Sequence, residues 1–191
     1  VEIEEAELSK GKGSFSEGEL EISYLMLEHN IPCLGYSVVL NRKPVFNPLK
    51  AEKLSIPLQY YRKLHSGEAV ELSDGKIITS DMVTDNERAP LKLCYCTDTK
   101  AFDGISDFAD GSDLFISEGM YADEGMRKKM SEKGHMLFSD SARLAKQSKV
   151  KKLWLTHYSP ALEKPDNFIK IAKEIFPHSV AAYDGIRETL R

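Results

Sequence analysis

Leu93-Cys94-Tyr95-Cys96-Thr97-Asp98-Thr99 reads as the end of a short buried strand, Leu91 to Cys96, that runs into a tight polar turn. A carboxylate sits at the strand's end between two threonines. Three other stretches end the same way: Leu25-Met26-Leu27-Glu28-His29, Leu114-Phe115-Ile116-Ser117-Glu118 and Leu153-Trp154-Leu155-Thr156-His157. Strand ends in α/β proteins are where ligand and catalytic groups collect, because a rigid element aims a side chain into a crevice.

Working outward, regular alternation continues beyond Pro90. Strand 91–96 is followed by a helix near Asp103 to Ala109, strand 113–117, a longer helix from about Ala122 to Lys133, and a helix from Phe138 to Lys149. Strand 152–156 comes next. A helix opened by Pro165 repeats apolar residues at spacing three and four, and a short strand spans Val180 to Ala182. Upstream, Leu20 to Leu27 and Cys33 to Leu40 read as strands, Glu28-His29-Asn30 as a turn, and Glu2 to Glu4 as the start of a further strand. Residues up to Gly18 are otherwise polar. The pattern predicts an α/β fold.

Residues 41–89 differ in character from the core regions 1–40 and 90–191. Pro44, Pro48 and Pro57 punctuate them. Asn47 is placed to cap a short helix over Pro48 to Leu54, and Pro57 to Leu64 forms a second. Val70 to Ile78 is a hairpin with Asp74-Gly75 at its turn. Arg42, Lys43, Lys50, Lys53, Arg62 and Lys63 lie here, with Tyr60 and Tyr61 beside them. The stretch reads as an insertion projecting from the core.

The 191 residues could form one domain, and a net charge of −4 removes any blanket attraction to nucleic acid, so contacts with RNA must be local. No apolar run approaches the ~20 residues that span a bilayer, and no secretory signal is read. Cys94 and Cys96 share one strand face, which suits small buried core residues better than a metal site or a disulfide framework and points to a reducing cytoplasm. The chain begins with Val, which reads as part of a longer polypeptide or as a trimmed one.

Imidazole and carboxylate together form the ligand set of Zn²⁺ and similar ions. If their strands lie side by side, His29, Asp98 and His157 converge on one rim. Taken singly, Asp98 reads as a turn former, and each histidine as a surface or core residue. His135, after Gly134, is either a general acid or an exposed residue following a helix-terminating glycine. Glu118 is either its orienting partner or a solvated carboxylate.

The chain resembles ribonuclease Z, the tRNA 3′-processing endonuclease of the metallo-β-lactamase superfamily, from about Leu27 to Tyr183. Leu27 to Tyr36 resembles the segment with a zinc-binding histidine, Cys96-Thr97-Asp98-Thr99 the turn with the bridging aspartate, and Leu155-Thr156-His157-Tyr158-Ser159 the segment with the last ligand. Gly134-His135 is similar to the start of a Gly-His-Ser-Thr motif whose histidine donates a proton. Ser117-Glu118 sits where the family has His-Glu. The resemblance implies His29, Asp98 and His157 as metal ligands and His135 with Glu118 as catalytic residues. It also implies two divalent ions (Zn²⁺, or Mn²⁺), an αββα sandwich represented mainly by its C-terminal αβ half, and 41–89 as an arm gripping precursor tRNA. A homodimer is implied as well.

The family's His-x-His-x-Asp-His motif is absent, and Ser117, Met136 and Leu137 depart from its pattern. The expectation is therefore a C-terminal half, inactive alone, whose partner is the missing N-terminal half. Two other readings are a phosphodiesterase of the same fold acting on small substrates and a non-catalytic RNA-binding relative.

Overall fold

A computed structural model describes residues 11–191; the strand start at Glu2–Glu4 lies outside the described residues. In chain order, Lys12–Glu17 (β1), Leu20–Met26 (β2) and Leu34–Leu40 (β3) form an antiparallel run. The sequence reading missed β1. Its only apolar side chain, Phe15, is 54% exposed, so no alternation marks it. Its strand state comes from the tight turn at Gly18 (φ +59°) and from full-length pairing with β2, Lys12 opposite Leu25 through Glu17 opposite Leu20.

Residues 41–90 form a compact unit of their own. It holds helix α1 (Pro48–Lys53), a 3₁₀ turn at Leu58–Tyr60 leading into α2 (Tyr61–Ser66), and a small hairpin of β4 (Val70–Glu71) and β5 (Ile77–Ile78). Asn47 caps α1, its Oδ1 accepting from the Leu49 and Lys50 amides. Ala51, Ile56, Leu64, Val70, Ile78 and Val83 make a closed core, so the insertion is packed around apolar residues of its own.

The other unit joins the strands up to Leu40 with 91–191. Here β6 (Leu91–Cys96), α3 (Asp103–Ala109), β7 (Leu114–Glu118), α4 (Arg127–Glu132), α5 (Phe138–Gln147), β8 (Leu153–Thr156), α6 (Ile169–Ile175) and β9 (Ser179–Ala181) follow in order. The helix expected over 122–133 is divided. Asp123 accepts from the Gly125 amide, a 3₁₀ turn covers Glu124–Met126, and only then does α4 begin. Pro165 likewise opens a 3₁₀ turn, with α6 starting at Ile169.

One seven-stranded sheet results, ordered β1-β2-β3-β6-β7-β8-β9, antiparallel up to β6 and parallel from β6 to β9. Helices α3, α5 and α6 cover one face, burying Cys94, Cys96, Phe115, Leu153 and Leu155 with Phe138, Ala142, Ala145 and Ala172. The three cysteines are free thiols, Cys94 and Cys96 fully buried. The opposite face carries a row in register across the sheet: Tyr24, Tyr36, Tyr95, Ile116, Trp154 and Val180. Tyr36 and Tyr95 remain 41% and 39% exposed. No helix among the described residues is long and apolar enough to cross a membrane.

Candidate metal centre

Strand direction gathers the site. β2 runs antiparallel to β3 and β3 antiparallel to β6, so β2 points the same way as the parallel set β6, β7 and β8. The four apolar strands quoted above therefore end at one edge of the sheet, although β3 lies between β2 and β6. Asp98 follows β6 and His157 follows β8, both with left-handed backbone, φ +56° and +54°. Non-glycine residues are held there at a cost of about 1–3 kcal/mol only where their surroundings over-determine them, most often at functional sites.

Glu118 is the hub. It is the last residue of β7 and fully buried. Its Oε1 accepts from the Thr99 amide at 3.1 Å and the Met136 amide at 2.9 Å. Its Oε2 lies 2.9 Å from His135 Nδ1 and 3.2 Å from His157 Nδ1. The other nitrogen of His157 sits 3.1 Å from Asp98 Oδ1. The hydrogen bond to Glu118, with the charges of Asp98 and Glu118, raises the His157 pKa above its ordinary value despite the opposing effect of burial. Glu118 is thus a buried partner of two histidines, and not the solvated carboxylate of the plainer reading.

His135 is not an exposed residue after a helix: its side chain is 14% exposed. Gly134 has φ +75°, and a Cβ there would come within 2.7 Å of His29 Nδ1. Glycine therefore permits the close approach that lets His29 Nδ1 reach the Gly134 carbonyl at 3.0 Å and brings the His29 and His135 rings within 4.9 Å, tilted by 53°. The departures from the family pattern lie behind this surface. Met136 and Leu137 are fully buried core residues. Ser117 points to the helical side, fully buried and donating to Ser141 of α5 at 2.9 Å, so residue 117 belongs to the packing against α5 and not to the cluster.

All five residues singled out from the sequence, His29, Asp98, Glu118, His135 and His157, come together. Ligand-type atoms of His29, Asp98 and His135 lie within 4.8 Å of one another, as do those of Glu118, His135 and His157. Imidazole and carboxylate donors at this separation fit a Zn²⁺- or Mn²⁺-type ion. Glu118 fits the outer role better, since its oxygens already serve backbone amides and imidazoles. Sequence reasoning placed His135 outside the ligand set; the geometry puts it in both groups. Thr99, quoted for its motif and given no role, proves to touch three of the site's segments.

In the 41–90 unit, Arg42 Nε donates to the Ala89 carbonyl, and Lys50 reaches Asp85 at 3.3 Å and the Thr84 carbonyl. Lys43 also has a partner. Lys53, Arg62 and Lys63 are exposed and form no ion pair among the described residues. The six cations are therefore not one uniform surface.

No family model matches the chain. Among solved structures, the metallo-β-lactamase fold protein YhfI from Bacillus subtilis superposes with a TM-score of 0.54, covering 87% of this chain and 48% of that one at 21% identity. With the sheet and its helices, this defines a metallo-β-lactamase fold. The sequence goes further. Ribonuclease Z of Clostridium acetobutylicum is 43% identical over 161 residues, 84% of this chain and 52% of the relative. That of Lachnospira eligens is 42% identical over 184 residues, 96% of this chain and 60% of the relative. The chain is a homologue of ribonuclease Z, and it spans about half to three-fifths of the length of these curated relatives.

Proposed function

We propose that this chain supplies the C-terminal part of a ribonuclease Z-type endoribonuclease that removes the 3′ trailer of precursor tRNA by phosphodiester hydrolysis. The observation that carries the reading is the convergence of His29, Asp98, His135 and His157 around buried Glu118 at one sheet edge. His29, Asp98 and His157 would hold two divalent ions, Zn²⁺ first and Mn²⁺ second. The ions, when bound, supply Lewis-acid polarisation of the phosphodiester and of the attacking water.

The chain's own residues do the rest. Glu118 accepts from Nδ1 of His135 and of His157, which fixes both rings and directs each Nε2 outward. His135, when it carries a second proton at the outward Nε2, gives that proton to the leaving ribose oxygen and keeps the Nδ1 proton on Glu118. The base expected from the absent His-x-His-x-Asp-His motif lies outside this chain, so the chain alone is inactive.

The apolar sheet face supports a partner. A row of tyrosine, isoleucine and tryptophan in register is what a second αβ half would bury, and the curated relatives have length for it beyond what this chain spans. The 41–90 unit, with Lys53, Arg62 and Lys63 exposed, serves as the tRNA-holding arm through phosphate neutralisation. That arm favours tRNA over small phosphodiesters. Free buried thiols fit a cytoplasmic setting, and the assembled enzyme is a homodimer.

The test is cleavage of a precursor tRNA by the chain alone and by the chain mixed with a polypeptide bearing the missing motif, with metal content measured in both. Trailer removal only by the mixture, with close to two metals per pair, is the expected result. Cleavage by the chain alone, or none by a stable metal-loaded mixture, overturns the proposal.

A further inference from the structure

Three site segments are tied at one residue that carries no ligand. Thr99 is fully buried. Its Oγ1 accepts from the Glu28 amide at 3.1 Å, beside His29, and donates to the Lys100 carbonyl at 2.9 Å. Its own amide donates to Glu118 Oε1 at 3.1 Å, and Glu118 in turn holds His135 and His157. Asp98, immediately before it, sits at φ +56°. One small residue thus joins the loop carrying His29, the turn carrying Asp98 and the carboxylate that orients the other two histidines. Nearby contacts run between the same segments: Lys100 N donates to the Glu28 carbonyl at 3.0 Å, and Cys33 Sγ to the Thr97 carbonyl at 3.5 Å. Of these, only Thr99 reaches Glu118 as well.

We propose that Thr99 is a positioning residue for the metal centre: its buried hydroxyl and amide hold His29, Asp98 and the Glu118-bound histidines at one spacing. This rests on the metal reading above. A purely local role, closing the turn after β6, would need neither the Glu28 nor the Glu118 contact. The hydroxyl is the part side-chain substitution can remove. Valine keeps its shape but leaves the Glu28 amide and the Lys100 carbonyl without their partner. Serine keeps the hydroxyl.

The experiment titrates the chain and its Thr99→Val and Thr99→Ser variants with Co²⁺ alone, read by the visible d–d bands. Amide exchange is measured in parallel on the metal-free proteins. Thr99→Val is expected to weaken Co²⁺ binding about 10- to 100-fold, the usual effect of losing an outer partner, with altered bands. Its Glu28 amide exchanges about tenfold faster or more, as local opening becomes easier. Thr99→Ser retains most of the affinity and the parent bands. Unchanged Co²⁺ binding and unchanged Glu28 exchange in folded Thr99→Val overturn the proposal. So does a folded Thr99→Ser that loses about tenfold or more of the parent's Co²⁺ affinity, an outcome that also decides the matter should Thr99→Val not fold. If the parent chain binds no Co²⁺, the metal reading fails separately, and Glu28 exchange alone decides whether Thr99 ties the loops.

Discussion

At the scale of single residues, the site depends on what Glu118 accepts. Oε1 serves two backbone amides and Oε2 faces two imidazoles. Glu118→Gln keeps the shape but offers only one accepting oxygen. With that oxygen on the backbone side, the new NH₂ faces Nδ1 of His135 and His157, which must then accept. Both rings shift to the Nε2–H tautomer, closing the nitrogen that His157 would present to a metal. Metal affinity is expected to fall about 10- to 100-fold with the fold retained, as calorimetric titration with Zn²⁺ would show; unchanged affinity would mean that Glu118 does not set the tautomer. The same contact predicts a pH effect. Its hydrogen bond to Glu118 and the nearby carboxylates raise the folded pKa of His157 above its ordinary 6.5. Its contribution to the stability of the metal-free chain is therefore fully present below the unfolded value, about 6.5, and is lost as pH rises through the higher folded value. Thermal melts across this window should show a fall in Tm that becomes shallower in Glu118→Gln.

At the scale of elements, the strands that carry the site were legible because buried parallel strands read as short continuous apolar runs. β6 and α3 have the bounds read from sequence, and β7 and β8 differ by a residue. What was not legible depends on partners distant in sequence. β1 is specified by its pairing with β2, and the break before α4 by a side chain-to-backbone bond at Asp123. The closed core of the 41–90 unit is built from single apolar residues too scattered to form a run. Candidate ligands could be named from strand ends, whereas the left-handed backbones of Asp98 and His157 and the depth of Glu118 could not. The direction of Ser117 is the clearest instance. From sequence it is a histidine missing from a catalytic pair; in the fold it belongs to the β7–α5 packing. Ser117→His, which restores the family residue, is expected to destabilise the chain by about 1–3 kcal/mol through overpacking, without raising Zn²⁺ affinity. Chemical denaturation and metal titration check this together, and a gain in affinity would place residue 117 in the site after all.

At the scale of the whole molecule, one sheet has two faces and the helices α3, α5 and α6 pack on one. The other face brings Ile22, Val38 and Leu93 into direct register across β2, β3 and β6, next to the row of Tyr24, Tyr36 and Tyr95. These side chains are half-buried or exposed, and contiguous apolar area of this kind marks an interaction surface. If it is the seat of the remaining αβ half, a charge at its centre should separate folding from assembly. Val38→Lys is the appropriate variant. It lies mid-strand on that face, and its long side chain can carry the ammonium to water while the face is free. The isolated Val38→Lys chain should then fold, with the parent's circular dichroism and weaker binding of a hydrophobic dye. Against a complementary half, the same ammonium is desolvated without a partner, which is strongly unfavourable. Mixed with the polypeptide bearing the missing motif, the variant should fail to co-elute on size exclusion and fail to cleave precursor tRNA, while the parent chain does both. If Val38→Lys folds and still assembles with full activity, this face is not the seat of the other half, and the missing part of the site must reach His29, Asp98 and His157 from elsewhere.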